Sequence, residues 1–111
     1  MLKIQVVKQD DLVILELEGR LDTSTSPDFD LAVEPHTAGP TRLAVDLAKV
    51  QYVSSAGLRV FLMTAKKLQK TGGKLVICSM SAAVREVFDI AGFSRMLRIE
   101  ADQAAARTAL G

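Results

Sequence analysis

Two adjacent serines, Ser54 and Ser55, stand in the stretch YVSSAGL, where an apolar run ends and a helical pattern begins. A serine at this position can cap the helix by accepting a backbone N–H, at a gain of about 1 kcal/mol. It can also present a hydroxyl that reacts. One serine satisfies the cap, and the second leaves a hydroxyl over. The spacing alone leaves both roles open.

The residues around these serines do not suggest catalysis by the chain itself. A nucleophilic serine needs a general base, and the only histidine, His36, follows Pro35 in a predicted loop. G-x-S-x-G and Walker A motifs are absent, and no His, Cys or carboxylate cluster has metal-ligand spacing. We therefore expect no enzyme, no catalytic residue, no metal and no cofactor. A weaker alternative is an enzyme that uses Ser55 as its nucleophile.

Composition narrows the class of protein further. The 111 residues suffice for a single domain over 1–111, and 14 basic against 13 acidic residues give a net charge of +1. With only 5% aromatic residues, this balance argues against nucleic-acid and membrane partners. One cysteine, Cys78, excludes an internal disulfide. No membrane-spanning run or signal peptide is visible, so we expect a cytoplasmic protein.

Five strands are predicted from apolar patterning. LKIQVVK and LVILELEG read as a hairpin joined at KQDD, with Ile14, Glu16 and Glu18 on the polar face of the second strand. Three later strands are predicted in RLAVDL, KLVIC and MLRI, and a loop is predicted around Tyr52. KLVIC is almost continuously apolar, as expected of a buried strand.

Four helices are predicted from capping residues and apolar spacing. Ser26 is expected to cap the first, with Pro27 as its first residue and Pro35 as its stop. The second follows Ser55 and ends at Gly72-Gly73. Ser81 and Asp102 are expected to cap the last two. The order ββαβαβαβα predicts an α/β fold with a mixed sheet of four to five strands and a helical layer packed on it.

Several residues are expected near Ser55. Asp22 ends a strand in GRLD, and Asp46-Leu47 ends the third predicted strand before the loop that leads to Ser55. The helix that follows carries a mixed cationic and apolar strip off its core face, made of Arg59, Val60, Met63, Lys66 and Lys67. Such a strip is either an ordinary solvated helix face or a docking surface.

The sequence resembles the bacterial anti-sigma factor antagonists, which are stand-alone STAS domains. The resemblance runs from about residue 4 to residue 110. It rests on the segments VILELEGRLDTST, LAVDL, VQYVSSAGLRVFL, GGKLVICSMS and VREVFDIAGFSRMLRI in that order. The STAS fold that it implies has the same ββαβαβαβα order.

The resemblance implies a protein switch. The unphosphorylated antagonist binds an anti-sigma factor that is also a GHKL-type serine kinase, and this releases the sigma factor for transcription. Phosphorylation of one serine by the kinase, using ATP, ends the binding, and a PP2C-type phosphatase restores it.

The same resemblance assigns residues in this chain. The phosphorylated serine stands two residues before the glycine of the family motif, which is Ser55 here, with Ser54 as the alternative. Ser54 occupies a position that is often aspartate in the family, and Ala56 one that is often serine. The expected partner-binding residues are Asp22, Thr23, Ser54, Ser55, Ala56, Gly57, Arg59, Val60 and Met63.

A different class of function stays open beside this one: a STAS scaffold or regulatory subunit of a larger complex, stressosome-like or transporter-associated, that is not phosphorylated. STAS-like subunits occur in stressosome-type complexes, transporters and lipid-transport machines. Phosphorylation by a cognate serine kinase would separate the two functions.

Overall fold

The computed structural model describes residues 2–9 and 11–111, which form a five-stranded mixed sheet and four helices, as predicted. The chain order ββαβαβαβα is confirmed. The strands are β1 Leu2–Gln9, β2 Leu12–Leu21, β3 Arg42–Val53, β4 Lys74–Cys78 and β5 Arg98–Glu100. The helices are α1 Ser26–Val33, α2 Ser55–Thr71, α3 Ala82–Ile90 and α4 Gln103–Leu110, and short 3-10 turns occupy Glu34–His36 and Phe93–Arg95.

The predicted hairpin is confirmed, since β1 pairs antiparallel with β2. Its register places Leu2 opposite Gly19 and Gln9 opposite Leu12. Asp10, in the predicted turn, and Met1 lie outside the described residues.

The strands follow one another across the sheet in the order β1-β2-β3-β4-β5, and β2 to β5 are parallel. Each crossover therefore moves one strand in the same direction. Because such crossovers are right-handed, they bring α1, α2 and α3 to the same face. Each of these helices contributes a buried phenylalanine to the core there: Phe29, Phe61 and Phe88, with successive ring centroids 4.9 Å and 5.5 Å apart.

The opposite face of the sheet is covered by α4. Ala106 and Leu110 of this helix pack on an apolar patch made of Ile14, Ala44, Val76 and Cys78. Strand β2 is predicted to be half-buried, with Ile14 on the face of Glu16 and Glu18, and this is wrong for Ile14: its exposure is 2% because a fourth helix folds back over it. Burial also raises the pKa of the Cys78 thiol to about 11, in a side chain that is completely covered.

Helix α4 is further attached through a polar contact. The Gln103 amide donates to Asp46 Oδ2 at 2.6 Å and to Glu16 Oε2 at 2.7 Å. Asp46 is 8% exposed, and its other oxygen accepts the Ala48 N–H at 2.7 Å. This carboxylate therefore belongs to the α4 face of the sheet.

Strand β3 is twice as long as predicted from RLAVDL. It continues through the expected loop around Tyr52 to Val53, and it remains paired with β2 as far as Leu21 opposite Val53. The register with β2 shifts twice, between Glu16 and Glu18 and between Gly19 and Arg20. Such bulges break the two-residue alternation that reveals a strand in sequence.

The start of α1 also differs from the prediction. Thr25 is the N-cap, without a side-chain capping bond, and Ser26 is the first helical residue. Ser26 is buried, and its hydroxyl donates to the Asp22 carbonyl at 2.6 Å, so it fastens the loop that precedes the helix. The predicted stop at Pro35 is confirmed, since the helix ends at Val33 and a 3-10 turn follows.

The other predicted helix ends are confirmed. Ser81 Oγ accepts the Val84 N–H at 3.2 Å, and Asp102 Oδ1 accepts the Ala105 N–H at 2.8 Å. Helix α2 ends at Gly72, whose φ of 80° lies in the left-handed region that glycine adopts without strain.

Candidate functional site

The two serines have separate structural roles at the start of α2. Ser54 is the N-cap: its backbone is extended, and its hydroxyl accepts the Gly57 N–H at 3.4 Å. Its own N–H donates to the Leu21 carbonyl at 2.8 Å, which continues the pairing of β2 and β3 into the helix start. Ser55 is the first helical residue and is exposed. Its hydroxyl makes no hydrogen bond to the residues that the structure describes.

The helix start favours negative charge at Ser55. The first intrahelical hydrogen bond runs from the Leu58 N–H to the Ser54 carbonyl, at 3.0 Å. The N–H groups of Ser55 and Ala56 precede that bond and have no carbonyl of the helix to reach. Together with the helix dipole of a 17-residue helix, they attract an anion to this end.

Asp22 lies beside this helix start, as the sequence predicts. Leu21 is paired with Val53, so the residues that follow each strand, Asp22 and Ser54, leave the same edge of the sheet next to each other. Thr23, also expected at the site, is exposed in the turn that follows Asp22.

The Asp22 carboxylate organises the loop that carries it. Its Oδ1 accepts the N–H groups of Ser24 and Thr25 at 3.0 and 3.1 Å, and the Ser24 hydroxyl at 2.9 Å. These hydrogen bonds, the one from the Ser24 side chain above all, hold the pKa of Asp22 below its usual value. The carboxylate therefore stays ionised and keeps the loop in one conformation beside Ser55.

Gly57 is required by a close approach between helix and strand. A Cβ at this position would lie 2.8 Å from Leu21 Cγ and 3.2 Å from the Leu21 carbonyl oxygen. Because Leu21 is completely buried, it cannot relieve this overlap by moving into solvent. The glycine thus lets α2 begin directly against the end of β2, which fixes Ser55 relative to Asp22.

The partner-facing residues expected on α2 divide into two groups. Arg59 and Met63 are exposed, Met63 by 41%, and Ala56 is partly exposed. Val60 was expected off the core face, and that prediction is wrong: it is 9% exposed and belongs to the main core. Apolar spacing around Leu58 and Phe61 described the core face too narrowly, since the sheet and α1 cover a wider arc of the helix.

Asp46 and His36, which were discussed together with the serines, both lie away from them. Asp46 sits in the middle of β3 on the α4 face, so the prediction that it ends the strand before Ser55 is wrong. His36 lies in the 3-10 turn that precedes β3, at the edge of the sheet where β3 begins, whereas Ser55 follows its end. Burial and the positive charge of Lys8 lower the pKa of His36.

A further pair at this edge was not found from sequence. The Arg20 guanidinium stacks over the Tyr52 ring, 4.6 Å from its centroid, and Tyr52 is 40% exposed. The two residues are register partners on β2 and β3, just before Asp22 and Ser54. The pair was missed because Tyr52 was assigned to a loop. Extending β3 until it lies opposite residues 19–21 of β2 would have placed Tyr52 beside Arg20.

The chain belongs to the STAS domain family, whose model matches residues 3–106. It is 36% identical to BtrV of Bordetella bronchiseptica, a candidate anti-sigma factor antagonist, over 98% of both chains. It is 30% identical to the anti-sigma-B factor antagonist of Staphylococcus epidermidis, over 88% of this chain and 92% of that one.

Solved structures share the fold. An anti-sigma factor antagonist from Mycobacterium paratuberculosis superposes with a TM-score of 0.90 at 23% identity, over 99% of this chain and 94% of that one. The Bacillus cell fate determinant SpoIIAA in its phosphorylated form superposes with a TM-score of 0.73 at 16% identity, over 96% and 99%. At these identities the superpositions establish the fold alone.

The described part of the chain contains neither a metal-ligand cluster nor a membrane-spanning helix. Among residues 2–9 and 11–111, no group of three or more His, Cys, Asp and Glu side chains is arranged to hold a metal ion. Within the same ranges, no helix combines the length and apolar character needed to cross a membrane.

Proposed function

We propose that this protein is an anti-sigma factor antagonist controlled by phosphorylation of Ser55. In its unmodified form it binds an anti-sigma factor with GHKL-type serine kinase activity, which frees the sigma factor. The observation that carries this proposal is the exposed Ser55 hydroxyl, which has no structural role at the start of α2, beside a capping serine that has one.

The relatives support the antagonist function and the geometry supports the switch. A phosphate adds about −1.5 to −2 charges at pH 7. At the first position of α2 this charge meets free N–H groups and the positive end of the dipole, so the domain tolerates it. The effect therefore falls on the partner, which met a small neutral hydroxyl and now meets a bulky dianion.

Asp22 adds to this effect. Its carboxylate is kept ionised by its own loop and sits at the same edge as Ser55. A phosphate would raise the local negative charge further, so that an approaching partner carboxylate is repelled by both groups. This chain contributes no catalytic residue, because the kinase supplies the catalytic base and binds the ATP that donates the phosphate. A PP2C-type phosphatase removes the phosphate. We propose that phosphorylation and dephosphorylation take place in the cytoplasm. Residues 1–111 form the single domain that the partner proteins recognise.

The test combines phosphorylation and binding. Each GHKL-type anti-sigma kinase of the host is incubated with the protein and ATP, and the modified residue is located by mass spectrometry. We expect one phosphate on Ser55, none on Ser55→Ala, and loss of kinase binding by Ser55→Asp at unchanged fold.

Ala104→Asp is the matched control, since it places the same charge at an exposed position in the first turn of α4, on the other face of the sheet. This variant should still bind and still accept phosphate on Ser55. A phosphate found on Ser54, or normal binding by Ser55→Asp, would refute the switch. Stable binding without phosphorylation by any kinase would favour the scaffold function.

A further inference from the structure

One exposed face of α2 carries a continuous basic stripe that begins at Ser55. Its members follow each other at spacings of three or four residues, which puts them on one side of a helix. All of them are exposed: Ser55, Arg59, Met63, Lys66, Lys67 and Lys70, here called the α2 stripe.

The stripe is a local excess of positive charge. Helix α2 contains four basic residues and no acidic one, in a chain whose net charge is only +1. Within the described ranges, salt bridges involve Arg42, Arg85 and Arg98, and none of the four α2 cations takes part in one. Their charge is therefore available to a partner.

The surface of the stripe also contains two shallow depressions. A depression of about 250 Å³ is lined by Asp30 of α1 and by Ala56, Arg59, Val60, Met63 and Lys67 of α2. A second depression, of about 400 Å³, shares Met63 and Lys67 with it and continues past Lys66 to Lys70. Met63 thus lies in a shallow groove bordered mostly by cations, with Asp30 as its one acidic neighbour among the described residues. A flexible methionine adapts its shape to an apolar side chain of a partner.

We propose that the α2 stripe docks an acidic surface of the anti-sigma factor, with an apolar side chain of that surface seated at Met63. This inference rests on the proposed function, because it assigns the chemistry of the partner surface that meets the Ser55 end of α2. A second copy of this chain is a poor occupant. A two-fold contact through the stripe would place its cations against the same cations.

The position of Ser55 in the stripe explains why phosphorylation would weaken, and not strengthen, binding of the partner. The phosphate would stand at the head of the stripe, one turn from Arg59 on the same side of the helix. There it offsets part of the positive charge that attracts the partner and repels the partner's carboxylates directly. A neutral or basic partner surface would not be released in this way.

The test reverses charge along the stripe. The probe is the host anti-sigma kinase that binds wild-type protein in the phosphorylation and binding assay. Lys66→Glu/Lys70→Glu, more than two turns of helix from Ser55, should weaken its binding at least about tenfold. Lys66→Gln/Lys70→Gln should weaken it in the same direction by less. Raising the ionic strength should slow wild-type association, and should slow the reversed variant less.

Lys8→Glu/Lys74→Glu is the matched control. It makes the same change in net charge, at exposed residues near the edge where β3 and β4 begin, opposite Ser55. It should bind like wild type, and circular dichroism should show that all three variants fold. If the stripe variant and the control bind equally well, the acidic-partner inference is wrong while the proposed function stands.

Two other results would also decide the matter. If no anti-sigma factor of the host binds the unmodified wild type, the proposed function fails and the inference fails with it. If a random-sequence DNA duplex binds wild type at physiological salt and loses affinity for the stripe variant, the stripe is a nucleic-acid surface and the inference is overturned.

Discussion

Helices α2 and α3 begin in the same way and are used differently. Each is capped by a serine whose hydroxyl accepts the N–H three residues on, from Gly57 in α2 and from Val84 in α3. After the cap, α3 continues with Ala82, and its exposed face carries an Arg85–Asp89 salt bridge at 3.1 Å.

Helix α2 departs from that pattern at three points. It continues with a second serine, its third helical residue is a glycine packed against Leu21, and the charged residues on its exposed face are all cations. Because the capping chemistry is shared, it does not explain these departures. They are the features on which the proposed function rests, and substitutions in the two helices test them in order of expected size.

The largest effect is expected at Gly57. Gly57→Ala should lower the free energy of unfolding by about 1–3 kcal/mol, because the added Cβ overlaps buried Leu21 and forces α2 away from β2. Denaturant titration measures this loss. Gly39→Ala is the control, since a Cβ there meets nothing within 4 Å, and it should unfold like wild type. Equal stability of the two variants would show that the close approach does not constrain the start of α2.

The serine caps of α2 and α3 should contribute equally to the free energy of unfolding. Ser54→Ala and Ser81→Ala should each lower the free energy of unfolding by about 1 kcal/mol, because each leaves one N–H of the first turn without its acceptor. Urea midpoints at constant slope provide the comparison. A loss in Ser81→Ala without one in Ser54→Ala would mean that the 3.4 Å bond in α2 contributes nothing.

The Asp22 loop should make the free energy of unfolding depend on pH under acidic conditions. Its carboxyl has a pKa lowered by hydrogen bonds in the folded chain, so the unfolded chain holds this proton more tightly. Its contribution is therefore present above about pH 3.8 and is lost as the pH falls through the lower folded pKa. Asp22→Ala should show a shallower decline in its urea midpoint over this range than wild type. Parallel declines would contradict the role given to the loop.

The smallest effect on stability is expected at Ser55. Ser55→Ala should change the free energy of unfolding by less than about 0.5 kcal/mol, since the hydroxyl is exposed and unbonded. Ala82→Ser places a hydroxyl at the same position of α3. That variant should gain no phosphate at residue 82 from a kinase that modifies Ser55, as mass spectrometry would show. Phosphorylation at both positions would mean that the kinase reads a helix start and not this site.

Much of the fold was predictable because its signals are local. The hairpin, the three later strands, the Ser81 and Asp102 caps and the stop at Pro35 follow from patterns a few residues long. The Ser54 cap is a local feature in the same sense. The choice of Ser55 as the modified serine rests on the resemblance to the family motif around Gly57, and it stays a prediction.

The errors arose where distant parts of the chain decide the outcome. Ile14 is buried because α4 returns from the end of the chain to cover it, and Asp46 is bound by Gln103, which lies 57 residues further on. Tyr52 lies in a strand because β2 pairs with it across bulges that erase the alternation. Val60 is covered by neighbours that its own helix does not specify.

By itself, the sequence determined the element order and the caps at Ser81 and Asp102, because these depend on residue type and short spacing. Tertiary structure decided that Asp22 leaves the sheet next to Ser54, and that Gly57 faces Leu21. It also decided which residues of α2 remain exposed as a basic stripe. The physical reason is that proximity and burial are set by strand pairing and helix packing between segments far apart in the chain, and no short window of sequence contains both partners.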